Sequence, residues 1–374
     1  MSISNIHHST CSVIPDHILR NVAEHGDDEA RETVAETLVH TARIARDRAA
    51  TPATLIETPH APGARRKQRV VYDAHGESST LAAELVANEE TRHIRDVEAK
   101  EAFDGAGAVY DFLAKVFNRN SIDNRGMTLT STVHYGRHFA NAMWNGREVV
   151  YGDGDGKIFT RLTADVAVIG HEFAHGVTQH DAALEYHGQS GALNEHLADV
   201  IGIMIKQRWL AQTAAHAAWL IGEGLFGPTV QGKAIRSMKA PGTAYDDPIL
   251  GRDPQPAHMR DYVYSADDDG GVHINSGILN FAFYLTATAL GGYSWLTPGG
   301  IWYRAARTRL YPQAGFQDFA NATVIAAGEL HGVGSRVQST VAAAMDAVGL
   351  PVPAALPKGR AATPMRAQKR RNRW

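Results

Sequence analysis

The chain has 374 residues, with 37 basic against 40 acidic side chains, 44% hydrophobic content and a single cysteine. That length allows one large domain or two around a substantial core. The composition excludes a disordered or collagen-like chain, Cys11 alone cannot close an intramolecular disulfide, and no apolar run approaches the roughly 18–20 residues that cross a bilayer.

In chain order, the first twenty residues lack a basic start followed by an apolar stretch. Synthesis in the cytoplasm without a recognisable signal peptide is therefore expected, with export by a non-classical route left open. Within 1–50, Val34, Leu38, Ala42 and Ala45 recur at three- and four-residue spacing, which predicts a helix. Residues 51–66, TPATLIETPHAPGARR, read as an exposed linker open to proteolysis. VVYDA predicts a strand, Glu98 to Phe117 a helix, and 127–159 several short strands, including MTLTSTVHY and EVVYGDGDGKIFTRL. Beyond Ala164 the pattern is largely helical to Gly349, with a loop-rich stretch from about 226 to 271. A β-rich lobe followed by a helical lobe describes an α+β fold whose cleft is the expected site. From Lys358 onward there are seven basic residues and no acidic one, leaving −10 on the body. The tail reads as a solvated extension, and the acidic body as a poor nucleic-acid binder.

The sharpest signal is His171-Glu172-Phe173-Ala174-His175. On a helix, positions i and i+4 share a face, so both imidazoles reach one Zn²⁺ while Glu172 stands aside as a base for the attacking water. Five residues alone recur by chance, so a third ligand is required. In GALNEHLAD, Glu195 and Asp199 lie one helical turn apart; Glu195 supplies the ligand, and Asp199 accepts from the far nitrogen of a ligating histidine. Three protein ligands with an open fourth position is the pattern of a catalytic zinc.

These motifs, together with Asn141 to Gly146, Tyr151 to Gly156, Ile235 to Met238 and Asp268 to Gly277 in the same order, resemble the thermolysin-like zinc metalloproteases. The resemblance runs from about residue 70 to 350. It implies a two-lobed fold and an endopeptidase that uses zinc-activated water to cut on the amino side of hydrophobic residues. One zinc is bound by His171, His175 and Glu195, with Glu172 as general base. Tyr186 and His273 serve the developing oxyanion, and Asp268 orients His273. Arg236, Asn141 and the Ala142 carbonyl hold substrate backbone, and Phe159, Leu162, Val168 and Ile235 line the pocket for the residue after the cleaved bond.

The segment CSVIPDHILR, from Cys11 to Arg20, resembles the short propeptide of the protealysin-like branch. That implies a precursor divided into a propeptide (1–50) acting as an intramolecular inhibitor, a processing linker (51–66), a β-rich lobe with the zinc helix (67–178), a helical lobe (179–350) and a tail (351–374). Peptides or proteins are the substrates, and a dedicated protein inhibitor is a further candidate partner. Asp16-His17 depart from the usual motif, so the propeptide is expected to hold the cleft less tightly or to contact it differently. Cys11 is read as a small thiol ahead of a zinc-capping thiolate. The family's paired calcium site is expected to be absent, because Ala167 and Lys206 stand at its positions. GDGDG at 152–156 reads as a tight polar turn. A catalytically silent zinc module and a zinc aminopeptidase are the competing readings.

Overall fold

The computed structural model describes residues 11–50 and 65–353. Residues 51–64 of the expected 51–66 processing linker and 354–374 of the expected 351–374 tail lie outside these residues.

The N-terminal lobe is a five-stranded sheet formed by β1 (Arg69–Asp73), β2 (Glu84–Asn88), β3 (Leu129–Val133), β4 (Ala142–Trp144) and β5 (Val149–Tyr151), in the order β2-β1-β3-β5-β4. The parallel pairing of β1 with β3 needs a crossover, supplied by α3 (Val97–Val116). Asp96 caps that helix by accepting from the Ala99 N–H, and its buried Ala102, Ala106, Val109 and Leu113 form the packed face. Among the named strands of the described residues β4 pairs with β5 alone, which leaves its other edge to the cleft.

The zinc helix α4 (Val166–His180) closes the N-terminal lobe and packs on α5 (Gly188–Trp209), which opens the helical lobe and is followed by α6 (Asp268–Leu290), α7 (Thr297–Arg309), α8 (Phe316–His331) and α9 (Arg336–Ala347). Contacts of His175 with Asn194, His171 with Asp199 and Asp165 with Lys206 run in opposite senses along the chain, so α4 and α5 are antiparallel neighbours. They approach closely because Gly202 has no side chain: a methyl there would lie 2.4 Å from the Ala167 carbonyl oxygen. That approach brings the α5 carboxylates within reach of the α4 imidazoles.

Residues 11–50 form α1 (Asp16–His25) and α2 (Asp28–Ala50). Val13, Ile14, Ile18, Leu19 and Val22 are buried in the same hydrophobic cluster as both lobes. Two elements differ from the sequence expectation. α1 has only ten residues, too few for a periodicity to stand out. β2 lies in LAAELVAN, whose Ala, Leu and Glu do not favour a strand. In EVVYGDGDGKIFTRL only β5 is a strand; the Asp155 carboxylate accepts from the N–H groups of Lys157, Ile158 and Phe159 and turns the chain instead.

Candidate active site

Asp165 caps α4 by accepting from the Ala167 N–H, and the helix then carries His171, Glu172 and His175 into the core, each at most 1% exposed. His171 Nε2 and His175 Nε2 lie 3.1 Å apart, and Glu195 carboxylate oxygens lie 3.4 and 3.5 Å from them. Bonds of about 2.0–2.1 Å in a tetrahedral zinc site place ligand atoms about 3.3–3.4 Å from one another. Glu195 Oε2 is buried and accepts no hydrogen bond. The donor spacing, the two imidazoles and this unpaired oxygen all fit a zinc ion.

Each imidazole is fixed from behind. His171 Nδ1 lies 2.8 Å from Asp199 Oδ1, and His175 Nδ1 lies 2.9 Å from Asn194 Oδ1. Asp199 also receives Arg236 through two N–H groups at 2.8 and 2.9 Å and Asn280 at 2.8 Å. Burial opposes its charge, but Arg236 and His171 outweigh that and hold the carboxyl well below the usual carboxylate range. Glu172 is held differently. It accepts only the Trp144 N–H, at 2.7 Å, and its Oε1 is unpaired. Burial pushes its pKa up to about 8, suiting a group that must take and return a proton near neutrality.

His273 enters from α6. Asp268 to Gly271 all have positive φ, from 48° to 89°, which the two glycines tolerate, and this turn points the Asp268 carboxylate back at His273. Asp268 accepts from the His273 N–H at 2.9 Å and lies 2.5 Å from its Nδ1. Tyr186 donates to Glu195 and lies 3.3 Å from His273 Nε2. Phe159, Leu162, Val168 and Ile235 are all buried and share one hydrophobic cluster.

The propeptide strand occupies the cleft. Ser12 bridges Met143 on the edge of β4 in antiparallel fashion. The Val13 N–H donates to the Ala142 carbonyl at 3.1 Å, and Arg236 Nη1 donates to the Val13 carbonyl at 2.9 Å. Ile14 exchanges both its backbone groups with the Asn141 amide, at 2.9 and 3.1 Å. The Ser12 carbonyl lies 2.8 Å from His273 Nε2. At Asp16-His17, His17 Nε2 lies 2.7 Å from the Tyr245 hydroxyl, and burial lowers its pKa to about 4. Cys11 is buried.

Asn141, Ala142, His171, Glu172, His175, Tyr186, Glu195, Asp199, Arg236, Asp268 and His273 are therefore joined around one cleft, while Phe159, Leu162, Val168 and Ile235 are placed only as buried core residues. Sequence reading missed Asn194, Asn280 and the Trp144 amide. Asn194 had a faint signal, as a polar residue directly before Glu195 in a stretch of α5 that is buried throughout. His196, next to Glu195 on α5, is buried between Asn280 and Trp302, with both ring nitrogens engaged.

Comparison with known proteins gives three family matches: the protealysin propeptide over 11–52, the thermolysin metallopeptidase catalytic domain over 57–179 and its alpha-helical domain over 182–350. The chain is 46% identical to an extracellular metalloprotease of Pectobacterium carotovorum, covering 84% of this chain and 89% of that protein. It is 38% identical to the extracellular minor metalloprotease of Serratia marcescens, covering 77% and 80%. Among solved structures, the precursor of protealysin from Serratia proteamaculans superposes with a TM-score of 0.83 at 46% identity, covering 91% of this chain and 99% of that one. The names of these relatives overturn the expected cytoplasmic location. The lack of a recognisable signal was a poor guide, because it tests for only one export route.

Proposed function

The chain belongs to the thermolysin family of zinc metalloendopeptidases, in the branch that carries a protealysin propeptide, and from that premise we propose a role for each cleft residue. His171, His175 and Glu195 hold the zinc. When bound, the ion supplies Lewis acidity that polarises the scissile carbonyl and makes water a nucleophile at neutral pH. Glu172, oriented by the Trp144 N–H, takes the proton of the attacking water and passes it to the leaving amine. Tyr186 and His273 donate to the carbonyl oxygen as it gains charge, with Asp268 fixing the His273 ring. Asn141, the Ala142 carbonyl and Arg236 hold backbone, and Phe159, Leu162, Val168 and Ile235 select an apolar residue after the cut.

The observation that carries this reading is the propeptide itself, whose main chain uses the groups assigned to substrate. It acts as an intramolecular inhibitor by filling the cleft, and cutting in the 51–66 linker frees the enzyme. The relatives' names support export of this enzyme too. A paired calcium site is absent on this reading, because the Lys206 ammonium reaches Asp165 and Glu223 at 3.0 Å and the Leu220 carbonyl at 3.2 Å. A silent module would have no use for Glu172, Tyr186 and His273 together.

Glu172→Ala tests the mechanism. It should keep zinc and fold, by metal analysis and circular dichroism, while losing at least about 10²–10⁴-fold of casein cleavage together with self-processing. Processing by the purified variant would refute the assignment. N-terminally blocked peptides should be cut as well as free ones, which an aminopeptidase would not do.

A further inference from the structure

Residues 12–14 do more than plug the cleft, because their direction and register are those of a substrate. Four contacts fix that register. Val13 donates its N–H to the Ala142 carbonyl and receives Arg236 on its own carbonyl, Ile14 pairs both ways with Asn141, and the Ser12 carbonyl faces His273. The strand is antiparallel to the cleft edge of β4. The Val13 side chain is fully buried, as are Phe159, Leu162, Val168 and Ile235. The bond between the residue facing His273 and the residue held by Ala142 and Arg236 is Ser12–Val13. Moving the chain by one residue would break all four contacts.

We propose that Ser12–Val13 is itself a cleavage bond, cut within the same molecule once zinc is bound. The proposal rests on the peptidase reading above. Water adds its oxygen to the Ser12 carbonyl carbon, the C–N bond breaks, and the Val13 nitrogen leaves with a proton delivered by Glu172. The products are a Ser12 carboxylate and a Val13 amine, and no redox partner is needed. The cut sheds residues 1–12 and leaves Ile14, Ile18, Leu19 and Val22 buried, so the trimmed propeptide stays docked. Latency then survives this first cut, and its loss waits for the linker.

The test uses the full-length chain purified zinc-free and then given zinc, followed by intact mass and N-terminal sequencing. The expected result is loss of residues 1–12, a new N-terminus at Val13, and a rate independent of dilution. Isotope-labelled Glu172→Gln precursor, mixed with the active chain, should keep its own Ser12–Val13 bond. In that variant, without zinc, the Val13 and Ile14 amides should resist hydrogen exchange, because their N–H groups are donated to Ala142 and Asn141. Linker cutting with Ser12–Val13 left intact would overturn the proposal while leaving the peptidase reading standing, as would cutting of the labelled variant by its neighbours. Rapid exchange at Val13 would overturn the register. Loss of all cleavage, casein included, would instead remove the peptidase reading.

Discussion

The same antiparallel helix pair carries two buried ionic clusters, one at each end of its contact. At the zinc end, Asp199 gathers His171, Arg236 and Asn280 behind the metal ligands. At the other end, Asp165 receives Lys206 and the N–H groups of Ala167, Gly222 and Glu223. Both rest on one carboxylate in the core, because a buried anion needs a cation and several donors. Both take a cation from the chain, and they differ in what else the carboxylate holds. Asp199 shares Arg236 with the imidazole of His171, one of the groups that fit a metal, whereas Asp165 shares Lys206 with three backbone N–H groups and no group that fits a metal. A cation built into the chain needs no free ligand to complete the fold, and a metal site keeps a position open for chemistry.

Removing the cation at the zinc end should have the largest effect on stability. Arg236→Met would leave Asp199, fully buried, with only His171 and Asn280 to offset its charge, and breaking a buried pair costs about 3–5 kcal/mol. Chemical denaturation of the zinc-free precursor should show that loss. Zinc affinity should fall as well, since Asp199 would no longer hold the His171 ring as firmly. A loss under about 1 kcal/mol would mean that the two ends are alike after all.

The other end should respond more mildly, because Asp165 keeps three backbone donors and Glu223 is half-exposed. Lys206→Met should cost about 1–3 kcal/mol by the same measurement, the range for a buried polar group losing one partner, because three backbone donors still hold the Asp165 charge. Lys206→Glu sharpens the comparison by converting the built-in cation into a third carboxylate. Without calcium the variant should melt below the parent, and millimolar calcium should raise its melting temperature by a few degrees as a ligand binding only the folded state. The parent should not respond to calcium. A calcium-dependent shift in the parent would sink the reading that Lys206 stands where the ion would be.

The two ends were not equally legible from sequence. The zinc end announces itself because helical geometry converts fixed spacing into a shared face, so His171 with His175 and Glu195 with Asp199 could be paired before any coordinates. Asn194 and Asn280 could not, since their partners lie 19 and 81 residues away and a lone asparagine in a buried helix carries no spacing code. Lys206 was noticed only as a departure from an acidic position. Its bonding to Asp165 spans 41 residues and depends on how closely Gly202 lets the helices approach. The docked register of Ser12 and Val13 was equally hidden, because it is set by β4, His273 and Arg236 rather than by anything within the propeptide.

A third cation between carboxylates lies at the surface and sets the lower limit of the comparison. His134, at the end of β3, places Nδ1 2.9 Å from Asp153 and Nε2 3.3 Å from Asp96, tying the GDGDG turn to the start of α3. The Asp153 hydrogen bond, partly opposed by burial, raises its pKa from 6.5 to about 9, with Asp96 and Asp73 adding to the effect. A raised folded-state value favours the folded protein while the ring is charged, so this contribution is complete below pH 6.5 and is lost as pH rises through 9. Asp153 is half-exposed, so solvent screening keeps the contribution below about 1 kcal/mol. His134→Gln should therefore melt slightly below the parent at pH 6 and level with it at pH 10. A gap that widened with pH would show that the ring acts through packing instead of charge.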